Sequence, residues 1–165
     1  MNILGNIHLN QGNYLLAKDA YDECLDLCHK TGERRREAIM LGYLSGVAAG
    51  LGNYREADRL ARDCLRFSWD LDFTYYTVLN LGLPPLPPST TKNYAERAVR
   101  LLGASAALQE AMNIRHQPNH MQRASQVEAN ARQQLGDAAF QAAWDEGRRM
   151  SLEEAVTYAL REPEE

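Results

Sequence analysis

The chain has no run approaching the ~18 apolar residues that a membrane-spanning helix needs. It has no basic start followed by a long apolar core, so no secretory leader is expected and the cytoplasm is the default location. Basic excess is missing too: 18 Lys and Arg face 22 Asp and Glu, for a net charge of -4 and a pI near 5.6. A nucleic-acid face needs clustered cations to neutralise phosphates, so direct nucleic-acid contact is not expected. The densest basic run, Arg34–Arg35–Arg36, lies between Glu33 and Glu37 and reads as a solvated helix start. Cysteine is scarce. Three residues, an odd number, fit reduced thiols better than a disulfide framework.

Catalytic patterns are absent as well. His8, His29, His116 and His120 lack the His-Glu-x-x-His spacing of a zinc enzyme. His116 and His120 flank Pro118 and read as loop and first-turn residues. Ser105 and Ser125 sit in helical contexts without a nucleophile elbow. No Walker-type glycine loop is present to cradle phosphates. Cys24, Cys28 and His29 are close enough on a helix to suggest a metal. Cys24 and Cys64 recur at one repeat position, however, where a cysteine serves as a small core hydrophobe. Neither an enzyme nor a cofactor or metal is expected.

What the chain does have is an internal echo. Seventeen residues from Gly12 recur forty residues later from Gly52, with six identities: Gly12/Gly52, Asn13/Asn53, Tyr14/Tyr54, Ala17/Ala57, Cys24/Cys64 and Leu25/Leu65. Leu4 and Leu44 keep the same register. A fixed period of this size marks a helical repeat array. Tyr14, Ala17, Tyr21, Cys24, Leu25 and Cys28 fall on one stripe of a helix, and so do their counterparts from Tyr54 to Ser68. Residues 2–11 and 34–51 supply a preceding helix to each, with Gly12–Asn13 and Gly52–Asn53 as the turns. Residues 1–70 therefore predict two full helical hairpins.

A third copy begins at Asn93–Tyr94 and is degenerate. Pro84–Pro85 and Pro87–Pro88 forbid a helix through the place where its first helix belongs. Residues 72–82 predict a shortened helix, 83–91 an extended loop and 94–113 a long helix, so 71–115 form the degenerate repeat. Residues 116–165 predict a helical cap over the open end of the array. Pro118 suits a first helical turn, Gly136 ends that helix and Asp137 can cap the next one. Gly147 ends that helix, and Ser151 with Glu154 forms a capping box for the last. Phe140 and Trp144 share an apolar face that reads as core. Trp69, Phe73, Tyr75 and Tyr76 either pack a third hairpin or edge a groove. The expectation is an all-α, single-domain solenoid over residues 1–165. Met1 opens almost inside the first repeat, as a piece of a longer chain would.

Leu4–Gly5, His8, Gly12–Asn13–Tyr14, Ala17, Tyr21 and Cys24–Leu25 resemble the pattern of tetratricopeptide repeats. Leu44–Ser45, Ala48, Gly52–Asn53–Tyr54, Ala57, Ala61 and Cys64–Leu65 resemble it again. The period of forty is similar to the longer-helix variant found in bacterial signalling ATPases (NB-ARC-like) and LuxR-type regulators. Arg97–Ala98–Val99–Arg100–Leu101–Leu102–Gly103–Ala104 also resembles the terminal repeat of those regulators. Leu135–Gly136–Asp137–Ala138–Ala139–Phe140, Ala143–Trp144–Asp145–Glu146–Gly147 and Ser151–Leu152–Glu153–Glu154–Ala155 do likewise. The resemblance covers about residues 2–70 and 94–161, and the chain departs from it at the prolines of 83–91.

In such arrays the first helix of each hairpin lines a concave side. The resemblance places Asn2, Asn6, Leu9 and Asn10 there in the first repeat, and Ile39, Gly42, Gly46, Ala49 and Gly50 in the second. Asparagine three times in one copy stands opposite glycine three times in the next. Each helical glycine loses about 0.8–1 kcal/mol against alanine. Either close helix packing or a groove with a glycine floor and an asparagine wall would offset that. Some members of the fold grip a peptide carboxylate with lysine, asparagine and arginine. Asn6 falls at the asparagine position, but the lysine position holds Asn2, so that activity is not implied. The expected function is non-enzymatic binding or scaffolding of a protein or peptide partner within bacterial signalling or transcription regulation. Two alternatives are an inducer-sensing domain, which requires a closed apolar pocket with convergent polar groups, and self-association as a homodimer through the uncovered N-terminal repeat edge.

Overall fold

The structure is a computed structural model. It describes residues 2–87, 90–114 and 118–161, with side chains throughout except at Asn2, Pro118 and Asn119. Every regular element among the described residues is a helix. The chain is an all-α, tetratricopeptide-like helical repeat array. It divides into two compact units, residues 1–73 and 74–165.

The first unit contains α1 (Asn2–Asn10), α2 (Tyr14–Thr31), α3 (Arg34–Gly50) and α4 (Tyr54–Asp70), each packed on the next. The echo in the sequence persists down to single hydrogen bonds. Gly12 and Gly52 adopt left-handed φ values of 74° and 80°. Asn13 then donates its N–H to the His8 carbonyl at 2.8 Å, and Asn53 donates to the Ala48 carbonyl at 2.8 Å. Both are bonds that close the end of a helix through a left-handed residue. Asp72 takes that role after α4, with φ 50°, and Phe73 donates to Ser68 at 2.8 Å. Aspartate tolerates this conformation better than most residues with a Cβ.

The core of this unit takes Ala17, Tyr21, Cys24, Cys28 and Ala57 from the expected stripe and adds residues of α3 together with Leu60. Ala17, Tyr21, Cys24, Cys28, Met40, Leu44, Val47, Ala48, Ala57 and Leu60 cluster with their neighbours. The three cysteines are buried and form no disulfide, and burial pushes the Cys28 thiol above its ordinary range. His29 turns instead to Glu37, with 3.1 Å between Nε2 and Oε1. Equivalent positions trade volume between the copies. In the first, a Cβ on Gly5 would stand 2.5 Å from the Tyr21 ring. In the second, those two positions hold Ser45 and Ala61, and the Ser45 hydroxyl donates to the Ala57 carbonyl at 2.8 Å. A pair of small residues in one copy thus stands where the other has a glycine beneath a tyrosine.

The second unit contains α5 (Thr74–Leu81), α6 (Lys92–Ala111), α7 (Pro118–Leu135), α8 (Asp137–Arg148) and α9 (Leu152–Leu160). Helix α6 is its hub and packs against the other four. Between α5 and α6 the described residues 83–87 join no helix, and Leu83 and Leu86 are buried. Carbonyls of this segment find side-chain donors, since Tyr94 donates its hydroxyl to Pro85 at 3.1 Å and Gln134 its amide to Pro87 at 2.9 Å. Such bonds substitute for the helical ladder that proline cannot join.

The capping box forms as expected. Ser151 N–H donates to Glu154 at 2.8 Å and Glu154 N–H to Ser151 Oγ at 3.2 Å. Arg97 fastens α9 to α6 by donating to the carbonyls of Ala159 and Arg161, at 2.8 and 2.6 Å. Two sequence expectations need correction. Gly136, with φ 75°, caps α8, and Asp137 is its first helical residue. Gly147 does not end α8: it is buried inside it, and a Cβ there would collide with the Arg100 carbonyl of α6. Close backbone approach, rather than termination, explains that glycine.

Candidate functional site

The inner-face residues named from the sequence all lie on α1 and α3. Asn6 is half-buried and its Oδ1 accepts a hydrogen bond from Tyr21 Oη at 2.7 Å. Tyr21 is fully buried and stacks on Tyr43 of α3, with ring centres 5.0 Å apart and planes 5° from parallel. A rigid line therefore runs from α1 through α2 into α3. Engaging the carbonyl oxygen leaves the Asn6 amide nitrogen as the group available to donate.

The other positions divide. Leu9 and Ala49 are partly buried against the core. Asn10 is exposed, Gly42 is buried and Gly46 is half-buried. Gly50 is exposed on one side, but a Cβ added there would overlap the Tyr14 ring of α2. At Gly50 the glycine makes room for close packing between successive repeats. The backbone of Asn2 belongs to α1, and its side chain lies outside the described residues.

A concavity in this unit, of about 360 Å³, includes none of the nine inner-face residues. It lies among α2, α3 and α4, with Leu41, Leu44, Leu51 and Leu60 among its apolar lining. Two ion pairs border it: Lys18–Asp22 at 2.5 Å and Arg59–Glu56 at 2.6 Å. The hydrogen bond that Lys18 donates to Asp22 raises the Lys18 pKa above its ordinary value, and the one that Arg59 donates to Glu56 lowers that of Glu56. Both pairs are exposed, so each contributes roughly 0–1 kcal/mol. The repeat pattern hides this hollow, because only Leu25 and Leu44 of its leucines recur in the other copy, whereas Leu41, Leu51, Leu60 and the charges around them do not. A helical lattice drawn across two repeats, rather than within each, would have brought Leu25, Leu41 and Leu60 together.

The aromatic residues separate likewise. Trp69 is 37% exposed at the end of α4, and Tyr75 is equally exposed on α5, whereas Tyr76 is buried. Trp144 is half-buried and stacks on the fully buried Phe140, with ring centres 5.9 Å apart. His116 lies outside the described residues, and His120 occupies the first turn of α7 as expected.

Two helical hairpins whose internal turns recur forty residues apart define a helical repeat array. The comparison with protein families agrees: residues 1–68 match the tetratricopeptide repeat model. Repeats of this family generally mediate protein–protein interaction or scaffolding and are typically non-catalytic. No curated protein and no solved structure matches the chain. No helix among the described residues is long and apolar enough to cross a membrane.

Proposed function

We propose that the amino-terminal unit binds a segment of a partner protein along the inner faces of α1 and α3, without catalysis. The supporting observation is the Tyr21–Asn6 hydrogen bond, which fixes an otherwise mobile amide and leaves its nitrogen to donate to a backbone carbonyl. Gly46 and Ala49 would form the floor, with Asn2, Leu9 and Asn10 along the wall and Gly42 and Gly50 as close-approach points. Affinity would come from shape and a few anchors rather than from charge. The resemblance of residues 97–104 and 135–155 to regulator terminal repeats supports reading the module as part of a bacterial regulatory or signalling system, in the cytoplasm.

The test is a peptide display selection on the full chain, followed by affinities for Asn6→Ala and Gly46→Leu. Both variants should lose the selected peptides by about tenfold or more, equivalent to about 1.4 kcal/mol, while keeping the melting temperature within a few degrees. Peptides that bind both variants as well as the parent would place recognition elsewhere, the α2–α4 hollow being the first alternative.

A second reading, self-association, has its own observation. Leu4 is 62% exposed, whereas its repeat counterpart Leu44 is 6% exposed. Ile3, Ile7, Leu15 and Leu16 are also exposed, and Leu15 and Leu16 stand where the second copy has Arg55 and Glu56. A homodimer through this edge would show a concentration-dependent mass by light scattering. Leu16→Glu would return it to a monomer. A constant monomer mass up to millimolar concentration would rule it out.

A further inference from the structure

The first hairpin shows to solvent the face with which the second receives its neighbour. In the second, Tyr43 of α3 stacks on Tyr21 of α2, and Leu44 and Val47 join the same core. On α4 that face carries Glu56, whose carboxylate attracts the Lys18 ammonium of α2 across the contact. Forty residues back, the equivalent positions are Ile3, Leu4, Ile7 and Leu16. They are 73%, 62%, 44% and 53% exposed, so no described element covers them. A clustered apolar face of this kind marks an interaction surface.

The repeat register dictates the shape that fits. On the second hairpin the place is taken by α2, an amphipathic helix, and an occupant of the first hairpin takes the equivalent place. One position differs. Gly50 makes room for the Tyr14 ring, and its counterpart is Asn10. A Cβ at that place overlaps a tyrosine ring, so the occupant carries a small residue where α2 has Tyr14, and the α2 of a second copy does not fit.

Charge narrows the choice further. Asp19 stands where the second hairpin has Arg59, which lines the hollow that α2 shares with α3 and α4, so this position faces the occupant. Asp19, Glu23 and Asp26, spaced four and three residues apart, share the outer face of α2 and are exposed. Among the described residues none of the three is in an ion pair, whereas Lys18 is held by Asp22. Lys30, one turn beyond Asp26, is the cation on the same face. Helix α1 carries no Lys, Arg, Asp or Glu. The edge is therefore apolar with an acidic flank. A two-fold pairing of copies would set that flank against itself, where like charges repel, whereas a basic helix complements it.

We propose that the α1–α2 edge docks an amphipathic helix of a partner protein with a basic flank. Its apolar stripe lies on Ile3, Leu4, Ile7 and Leu16, and its lysines or arginines face Asp19 and Glu23. The site is separate from the inner faces of α1 and α3. It rests on the same exposed edge as the self-association reading and competes with it.

The probes are two fluorescein-labelled synthetic helices as long as α2, 18 residues. Both carry alanine and leucine on one face; the other face is lysine in one and glutamate in the other. Anisotropy is read with the full chain at pH 7 and low salt. The lysine helix should bind saturably, with a Kd of roughly 10–100 µM, and the glutamate helix about tenfold more weakly or worse. Added salt should shrink the difference. Leu4→Gln with Leu16→Gln should weaken the lysine helix about tenfold or more, with the melting temperature retained because both leucines are exposed in the free chain. Asp19→Lys with Glu23→Lys should turn the preference over to the glutamate helix. Asp137→Lys with Glu153→Lys, exposed acids of the second unit, changes the net charge equally and should leave the preference in place. Light scattering of the unliganded chain separates this site from self-association. A monomer that prefers the lysine helix, or a dimer that the lysine helix dissociates, supports the basic partner. A dimer that takes up neither helix overturns the basic partner and leaves the second copy in place, and a monomer that binds neither overturns both. Equal binding of the two helices, or a preference that follows the second-unit reversals rather than those at Asp19 and Glu23, overturns the assignment to this edge.

Discussion

The repeat turns of the first unit and the helix crossing of the second use glycine for opposite purposes. In the first, Gly12 and Gly52 are exposed, and a Cβ on either would meet nothing within 4 Å. What they supply is a left-handed backbone. In the second, Gly103 and Gly147 are buried in helices, and their space rather than their φ is used. A Cβ on Gly103 would lie 2.5 Å from the Trp144 carbonyl oxygen of α8, and one on Gly147 would strike the Arg100 carbonyl of α6. The two contacts are reciprocal, each helix lending a glycine to the other's backbone. Polar links flank the crossing: Arg100 donates to Glu146 at 2.6 Å and Arg148 to Glu110 at 2.8 Å. A repeat turn can therefore be copied along a chain, whereas a two-glycine crossing is particular to one place in it.

The sharpest way to break this contrast is Gly147→Ala. One methyl group must push α6 and α8 apart along their whole contact, because backbone cannot rotate aside as a side chain can. Overpacking of this kind destabilises by typically 1–3 kcal/mol and sometimes more; here about 3 kcal/mol is expected, in the second unit alone. Urea unfolding followed by Trp144 emission, in a Trp69→Phe background, measures it. A loss below about 0.5 kcal/mol would mean that the helices separate freely and that the crossing is not tight.

The second effect is selective for pH. In the unfolded chain His120 takes up a proton near its ordinary value of 6.5, and in the folded unit, where burial disfavours the charged form, only near 4. Between those values the unfolded state holds the extra proton, so stability rises with pH. It is fully present above about 6.5 and is lost as pH falls towards 4. Arg59, Arg148 and the Ser151 cap hold Glu56, Glu110 and Glu154 below their ordinary 4.5, so these carboxylates add slope only towards and below that value, at the lower edge of the window. The His120 slope is thus separable from theirs. Subtracting the curve of His120→Phe from that of the parent should leave a slope confined to this window, and a flat difference would show that His120 is hydrated in the folded unit.

The fold is legible in the sequence where physics repeats and illegible where it does not. The hairpins, their turns and the buried stripe from Ala17 to Leu65 were legible because one pattern appears twice, and a second copy tests the first. The capping box was legible because it is local, involving Ser151 and Glu154 three residues apart. Gly147 was misread as a stop because a glycine near a helix end carries the same local signal whether it turns the chain or receives a neighbour. Only Arg100, forty-seven residues away, distinguishes the two. His120 passed as a first-turn residue for the same reason, since its burial depends on α5, α6 and α8. On the inner face, the contrast of asparagine with glycine was visible, but the Tyr21–Asn6 bond was not. It joins positions fifteen residues apart whose counterparts, Ala61 and Gly46, cannot make it.

The smallest effect tests the repeated turn itself. Gly52→Ala places a Cβ at φ 80° in open space, so nothing but backbone conformation opposes it. The penalty for a left-handed residue with a Cβ is about 1 kcal/mol. The hydrogen bond from Asn53 to the Ala48 carbonyl should survive, because Asp72 and Asn113 carry side chains at φ 50° and 52° and close their helices with the same bond. Gly12→Ala should therefore destabilise the first unit by the same amount as Gly52→Ala, within a few tenths of a kcal/mol, and the double variant by their sum. Amide hydrogen exchange at Asn13 and Asn53 would report each turn separately. Unequal penalties would mean that the two turns, though identical in sequence at Gly-Asn-Tyr, are supported differently by the helices they join.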